Sequence, residues 1–157
     1  ISSWTNAAAV DKTMALMKKV GQSPVLVRRE IEGFLLNRLQ GALLREAWAL
    51  FEDGYASIED IDKTVSEGLG LRWSFMGPFE TIDLNAPGGV ADYAARLGPL
   101  YHSIQKSRTD PQMWSDGLIG KVDDERREVL PMDGLAGRRS WRDRRLMALA
   151  AHKAKQD

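Results

Sequence analysis

The chain has 157 residues, a length that suits one domain with a sizeable core. Hydrophobic residues make up 43% and charged residues 28%, the balance of an ordinary globular protein. Lys plus Arg and Asp plus Glu both total 22, so the charge predicts neither a nucleic-acid partner nor a membrane partner. The absence of cysteine excludes disulfides and thiolate chemistry, and it is compatible with a cytoplasmic location.

The first elements in chain order are a helix and a short strand. Asn6 is the expected N-cap of a helix running to about Lys19, and Gly21 follows where a left-handed residue would end it. Residues 24–28 are rich in β-branched side chains and favour a strand. One strand alone cannot satisfy its backbone groups, and nothing later in the sequence predicts a sheet. Because the chain also lacks an initiator Met, we expect residues 1–29 to be the end of a domain whose remainder is absent.

Helical patterns dominate the rest of the chain. Apolar residues recur at spacings of three and four over residues 34–53, and Gly54 is expected to end this helix. Ser57 begins another helix with a capping-box pattern, which Gly68 and Gly70 are expected to break.

The later elements are bounded by proline, glycine or polar residues. They are a short helix over 79–84 with Pro78 at its first position, a turn at 86–89, a helix over 90–106 with or without a break at Gly98–Pro99, short helices and loops over 107–137, and a last helix over 138–155. The sum predicts an all-α helical bundle, preceded by the isolated helix and strand.

The chain lacks the patterns of a complete active site. No Gly-x-Gly-x-x-Gly occurs: Gly68-Leu69-Gly70 is the nearest match, but residue 73 is Trp and no strand precedes it. P-loop and His-Glu-x-x-His patterns are also absent, and the two histidines, His102 and His152, lie far apart in sequence. The sequence therefore predicts no cofactor-binding and no metal-binding residues in this chain.

Several phrases, taken in order, identify a family. They are Val20-Gly21-Gln22-Ser23-Pro24-Val25, Gly33-Phe34-Leu35-Leu36-Asn37-Arg38, Glu52-Asp53-Gly54-Tyr55-Ala56-Ser57, Asp60-Ile61-Asp62 and Gly77-Pro78-Phe79-Glu80. The chain resembles the C-terminal domain of the 3-hydroxyacyl-CoA dehydrogenases. The segment Ser66–Pro78, with its Arg-Trp step before Gly-Pro, is similar to the lambda-crystallin and L-gulonate 3-dehydrogenase branch, and so is the tail Arg138–Asp143.

The resemblance implies a division of the chain and a reaction. Residues 1–29 would be the last helix and strand of a truncated Rossmann domain, and residues 30–157 a helical substrate and dimerisation domain of the 6-phosphogluconate dehydrogenase C-terminal type. The absent Rossmann domain would bind NAD and would carry the catalytic histidine, its glutamate and a substrate-contacting serine. The implied partners are that domain, a second copy of the chain, and a small carboxylate or acyl-CoA substrate.

Asn37, from the Asn-Arg pair, is the candidate catalytic residue. In the family this asparagine lies by the active-site cleft, where its amide can bond substrate or help to orient the histidine. An uncharged amide near a developing alkoxide stabilises charge without changing protonation. The alternative is that Asn37 begins a helix and bonds local backbone.

Arg72 is the candidate substrate-binding residue. Its guanidinium could bind the free carboxylate of a hydroxy acid bidentately, whereas a CoA thioester offers no carboxylate there. We expect it on a glycine-rich connection, with Trp73 and Phe75 making the pocket partly dry. The alternative is a surface arginine stacked on an aromatic ring.

Other patterns favour structural roles. The arginines of residues 138–145 predict a solvated helix face or an interface with an acidic neighbour in preference to a nucleic-acid site, since no aromatic ladder accompanies them. Trp48, Trp114 and Trp141 are expected core or interface anchors. Glu80 and Asp83 resemble an acid-base pair, but acidic residues near a helix start explain them equally well.

Two functions are compatible with this sequence. The first is the C-terminal part of an NAD-dependent dehydrogenase that oxidises a 3-hydroxy acid or a 3-hydroxyacyl-CoA to the 3-keto compound, and is inactive as an isolated fragment. The second is a stand-alone helical structural or interaction protein without catalysis. A nucleotide-binding motif encoded upstream of Ile1 would favour the first, and a start codon there would favour the second.

Overall fold

The computed structural model describes residues 2 and 4–156. Ile1, Ser3 and Asp157, which belong to the two predicted domains, lie outside the described residues. The helices are α1 Ala7–Lys19, α2 Phe34–Glu52, α3 Ile58–Lys63, a π-helical segment Thr64–Leu69, α4 Gly70–Trp73, α5 Pro78–Leu84, α6 Gly89–Lys106, α7 Asp116–Val129, a 3₁₀ turn Met132–Gly134 and α8 Leu135–Lys153. The predicted all-α fold is confirmed. None of these helices is both long enough and apolar enough to cross a bilayer.

The chain forms two compact units, one ending at Leu50 and the other beginning at Phe51. This boundary falls inside α2, whereas the sequence placed a domain boundary between residues 29 and 30. The two compact units follow from contacts within the chain, and such contacts do not test whether residues 1–29 are the end of a Rossmann domain. The division at residue 30 therefore stays a prediction.

In the first unit, α1 begins and ends where its N-cap residue and its terminal glycine predict. The Asn6 side chain accepts a hydrogen bond from the Ala8 N–H at 2.7 Å, and Gly21 ends the helix with a φ of +78°. The prediction of a strand over residues 24–28 is wrong, because residues 22–27 are irregular and join no sheet in the described chain. A strand needs a neighbouring strand for its backbone groups, and none of the described residues offers one. This irregular segment borders a groove of about 340 Å³ beside α1.

In the second unit, hydrogen bonds at helix ends define the start of α3. Ser57 accepts from the Asp60 N–H at 3.1 Å and donates its hydroxyl to the Asp60 carboxylate at 2.8 Å, so Ser57 is confirmed as the N-cap of α3. A Glu125 carboxylate oxygen on α7 accepts from the Ile58 N–H at 3.2 Å, so it binds one of the free N–H groups at the start of α3.

One prediction for the second unit is wrong, and one alternative that the sequence left open is decided. Residues 107–137 contain a full helix, α7, which Ser115 caps by accepting from the Leu118 N–H at 3.2 Å. Helix α6 also runs through Pro99 without a break. A proline removes one backbone donor and crowds the preceding turn, but here the helix continues on both sides of it.

The buried core is small for a chain of this length. Among the described residues only Thr81, Ala86 and Leu118 are buried, and all three lie in the second unit. Ile58 and Ile61 of α3 and Val65 of the π-helical segment are half-buried. Much apolar surface therefore remains exposed, including Leu36 of α2 at 75%.

Candidate functional site

Asn37 lies in the first turns of α2, directly after a strained entry. Gly33 and Phe34 both have positive φ, +76° and 49°, and the Phe34 N–H donates to the Ile31 carbonyl at 3.1 Å. Positive φ is rare for a bulky residue and costs on the order of 1–3 kcal/mol. The Gly-Phe pair thus turns the chain sharply into the helix that carries Asn37.

The Asn37 side chain is exposed, and it has no hydrogen-bond partner among residues 2 and 4–156. The alternative in which this amide bonds local backbone is therefore not seen. An amide carries two N–H donors and one carbonyl acceptor, and here all of them are available to another molecule.

A π-helical turn positions Arg72 in the second unit. The Gly70 N–H donates to the Val65 carbonyl, five residues back, and a Cβ at Gly70 would lie 3.0 Å from the same oxygen. Helical structure therefore continues from Ile58 to Trp73, and the expected break at Gly68 and Gly70 is wrong. Glycine at 70 permits this close backbone approach, so it shapes the helix instead of ending it.

Arg72 consequently lies on helix α4 and not on a loose connection. Its side chain is exposed, as are Trp73 and Phe75, so the partly dry pocket that we expected is not formed by the described residues of this unit. Phe75 instead contacts His152 edge-on, with the ring centroids 6.4 Å apart.

No described carboxylate forms an ion pair with Arg72, and its guanidinium is not stacked on a described aromatic ring. The alternative of a ring-stacked surface arginine is therefore not seen either. A hydrogen bond with Tyr93 raises the pKa of Tyr101, and the positive charge of Arg72 opposes that rise. Arg72 thus carries a positive charge that no described carboxylate neutralises.

Sequence reasoning missed the pairing of this phenol with Tyr93. The Tyr93 and Tyr101 hydroxyls lie 2.7 Å apart, and their rings are stacked with centroids 6.3 Å apart. The hydrogen bond between them is the main cause of the raised pKa of Tyr101, and burial adds a smaller rise. Two tyrosines eight residues apart on one predicted helix were the available signal.

Asn37 lies in the first compact unit and Arg72 in the second.

Glu80 and Asp83 do not form an acid-base pair in this structure. Glu80 lies in the first turn of α5 after Pro78, as expected from the favourable interaction of acidic groups with a helix N-terminus. Asp83 is near the end of α5, and its carboxylate accepts from the Val90 N–H at 3.0 Å. Asp83 therefore helps to fix the start of α6, a role that differs from the one expected.

The arginines of α8 form an exposed face. The Arg138 guanidinium lies 3.7 Å from the centroid of the Trp141 ring, and Arg145 lies 5.6 Å from it. Trp141 itself is partly exposed, so it does not act as a core anchor in this structure. Arg142 pairs with Asp143 at 2.8 Å on the same surface.

The described residues do not fit a nicotinamide dinucleotide. Such a site needs glycines that open the backbone to a pyrophosphate at a helix N-terminus after a strand. Gly68 and Gly70 instead lie within a helical run. The side of Gly70 that lacks a Cβ faces the Val65 carbonyl, so it is not open to a pyrophosphate. Within the described part of the chain, no group of three His, Cys, Asp or Glu side chains is placed to hold a metal.

Comparison with known proteins decides the family. Residues 33–126 match the family described as 3-hydroxyacyl-CoA dehydrogenase, C-terminal domain. The chain belongs to this family. The matched segment contains the Gly-Phe entry, Asn37, the π-helical turn, Arg72 and the tyrosine pair.

Several curated proteins are similar over nearly the whole chain. Lambda-crystallin of Oryctolagus cuniculus is 45% identical over 148 residues, which are 93% of this chain and 46% of that protein. The lambda-crystallin homolog of Homo sapiens is 44% identical over 96% of this chain and 47% of its own length. An L-carnitine dehydrogenase of Pseudomonas syringae is 34% identical over 92% of this chain and 46% of its own length. The chain thus spans about half the length of these relatives.

Proposed function

We propose that this chain is the C-terminal part of an NAD-dependent oxidoreductase that oxidises a 3-hydroxy acid or a 3-hydroxyacyl-CoA to the 3-keto compound. The observation that carries the proposal is the family match over residues 33–126. NAD, which would accept the hydride, and the histidine that takes the hydroxyl proton would belong to a nucleotide-binding domain outside this chain. Because the described residues do not fit the dinucleotide, we expect the chain alone to show no dehydrogenase activity.

Asn37 would act as the catalytic residue of this chain. Its amide is exposed and lacks a hydrogen-bond partner among the described residues, so its N–H groups are free to donate to the substrate oxygen on which negative charge develops. A fixed neutral donor stabilises that oxygen without a proton transfer of its own. The strained Gly33–Phe34 entry would fix the start of the helix that presents the amide.

Arg72 would bind the carboxylate of an acid substrate. Its guanidinium is exposed and without an ion-pair partner in the described chain, so it can offer two parallel N–H donors to the carboxylate oxygens. An acyl thioester has no free carboxylate at this position. This role therefore favours a small hydroxy acid over an acyl-CoA.

A second copy of the chain is the proposed partner of the exposed apolar surface. Leu35, Leu36 and Leu39 of α2 are 47%, 75% and 66% exposed, a larger apolar surface than one helix normally leaves to solvent. Sedimentation equilibrium should show a dimer that Leu36→Glu weakens. A monomer at all concentrations would refute this part of the proposal.

The complete polypeptide in which this chain occurs provides the test of function. It should reduce NAD in the presence of 3-hydroxybutyrate or 3-hydroxybutyryl-CoA, and Asn37→Ala should lower kcat about 100-fold, as loss of one oxyanion donor does elsewhere. Asn37→Asp serves as the isosteric control, because it keeps the shape and replaces a donor by a negative charge.

For Arg72→Ala we expect the KM for the acid to rise about tenfold to 100-fold, since a hydrogen bond to a charged group contributes about 1.5–3 kcal/mol. The matched control is Arg139→Ala on the exposed face of α8, which should leave KM unchanged. An unchanged KM in Arg72→Ala would refute the carboxylate role. No turnover of any hydroxy acid or acyl-CoA would instead favour a structural or interaction protein.

A further inference from the structure

Charge is unevenly distributed over the helices of the second unit. Helix α8 carries six Lys and Arg residues against one acidic residue, whereas α3 and α7 together carry eight acidic residues against four basic ones. The complete chain is neutral, with 22 residues of each sign. Two copies of the chain therefore meet without the repulsion that a net charge would create, and the basic surface of one is complementary to the acidic surface of the other.

Helix α8 is almost completely open to solvent. None of its 19 residues is buried, and only Leu135 and Leu149 are half-buried. Leu146 and Met147 are 57% and 71% exposed. Because helices in proteins obtain most of their stability from packing, a helix of this length with so little buried surface has an unpartnered side in the described chain.

Trp141 holds two of the arginines of α8 close together. The guanidinium carbons of Arg138 and Arg145 lie 3.7 Å and 5.6 Å from the centroid of its ring, both within the range of about 6 Å for a cation–π interaction. Neither arginine has an ion-pair partner among the described residues. A guanidinium stacked on a ring keeps the N–H donors at its edge, so each can still bind a carboxylate. We call these three residues the arginine clamp.

The acidic counterpart of the arginine clamp lies on α7. Asp124 and Glu128 are exposed, and neither has an ion-pair or hydrogen-bond partner in the part of the chain that the structure describes. The neighbouring base Arg127 does not neutralise them, because it pairs with Asp123 at 3.2 Å. Like charges four residues apart on a helix repel each other, so arginines from outside would stabilise both carboxylates.

The two surfaces do not neutralise each other within one chain. No ion pair or hydrogen bond joins α7 to α8 among residues 2 and 4–156. A nucleic acid fits the clamp less well than carboxylates do, because the Arg138 guanidinium occupies a face of the Trp141 ring on which a base would stack. Carboxylates one helical turn apart, with a rise of about 6 Å between them, can each reach one guanidinium of the clamp.

We propose that the arginine clamp of α8 docks on Asp124 and Glu128 of α7 in a second copy of this chain. Since each copy carries both surfaces, a twofold axis forms the contact twice, with each α8 against the other copy's α7. This surface differs from the exposed leucines of α2. The contact therefore goes beyond the proposed function and does not depend on catalysis.

Charge reversal on each surface tests the contact in the complete polypeptide. One variant carries Arg138→Glu with Arg145→Glu, and the other carries Asp124→Lys with Glu128→Lys. All four side chains are exposed, so the circular dichroism of both variants should match that of the parent. In sedimentation equilibrium each variant alone should dimerise at least about tenfold more weakly, because like charges then face each other in both symmetric contacts.

Mixing the two variants is the decisive measurement. In the mixed dimer each reversed surface faces the oppositely reversed surface, so the Kd of dimerisation should return close to the parent value. The control variant carries Lys12→Glu with Lys18→Glu on α1, an equal change of net charge at exposed positions of the first unit. It should dimerise like the parent, and mixing it with the α7 variant should not rescue that variant. Raising NaCl from about 0.05 M to about 0.5 M should weaken the parent and the mixed dimer alike.

The outcomes separate this contact from the other proposals. If neither reversal weakens the dimer while Leu36→Glu does, the α8 contact is wrong and the α2 contact stands. Equal rescue by the α1 control variant would mean that net charge alone causes the association, and this would also overturn the contact. So would an intact dimer of the α8 variant that has lost binding to a duplex oligonucleotide or to anionic vesicles. A successful charge swap in a polypeptide that turns over no hydroxy acid or acyl-CoA refutes only the dehydrogenase proposal.

Discussion

The π-helical turn before Arg72 predicts how the stability of the protein responds to one added methyl group at residue 70. In Gly70→Ala the new Cβ would lie 3.0 Å from the Val65 carbonyl oxygen, closer than the 3.4–4 Å of ordinary contact. Relieving this contact would lengthen the hydrogen bond that the Gly70 N–H donates to the same oxygen. Losing such a bond costs about 0.5–1.5 kcal/mol, which offsets or exceeds the helical preference of alanine.

Gly68→Ala is the matched control in the same helical run. A Cβ at Gly68 would meet nothing within 4 Å, so this variant should gain the usual about 0.5–1 kcal/mol of replacing glycine in a helix. Because both variants gain the helical preference of alanine, they should differ by the weakened hydrogen bond alone, about 0.5–1.5 kcal/mol in the free energy of unfolding. For a chain of this size, 1 kcal/mol corresponds to roughly 2–4 °C in Tm.

Far-UV circular dichroism during urea and thermal unfolding measures both variants. We expect Gly68→Ala to be more stable than the parent and Gly70→Ala to be less stable or unchanged. If Gly70→Ala stabilises the protein as much as Gly68→Ala does, the close approach to Val65 does not constrain residue 70. The π-helical turn would then have another cause.

Further predictions concern the helix caps, the core and the tyrosine pair. Ser57→Ala should lose about 1 kcal/mol in urea unfolding, because the first turn of α3 loses its cap; an unchanged midpoint would contradict this. Leu118→Ala should lose about 2–5 kcal/mol, since its side chain is only 6% exposed, and a loss below that range would mean the site collapses around the smaller residue. In tyrosinate absorbance titrations, Tyr93→Phe should lower the pKa of Tyr101, because its largest raising cause is gone, while Arg72→Ala should raise this pKa by removing a positive charge that favours the ionised phenol. Shifts of the opposite sign would show that the three groups do not interact as described.

The helices that the sequence predicts well are those whose ends carry their own signals. Asn6, Ser57 and Pro78 begin helices in the structure, and Gly21 and Gly54 follow helix ends with positive φ. These signals are local, because a cap or a left-handed glycine satisfies backbone groups within the same turn. The ordered phrases around Asn37 are likewise a property of the chain alone, and the family match confirms them.

The candidate site was only partly predictable. Asn37 and Arg72 could be named from the resemblance, and their roles stay predictions. The tyrosine hydroxyls could not be paired from sequence, because their contact depends on how both side chains leave α6. The effect of the Arg72 charge on the pKa of Tyr101 likewise depends on the packing of separate helices.

The all-α class, most helix starts and the family could be read from the amino-acid order, because they depend on periodicity, on caps and on short phrases. The formation of α7 could not, since the burial of Leu118 and the bond from Ile58 to Glu125 stabilise a polar, glycine-containing segment. Nor could the π-helical turn, in which Gly70 continues a helix although glycine ordinarily ends one. Both outcomes depend on contacts between residues that local preference does not describe, and packing outweighs propensity differences of about 1 kcal/mol per residue.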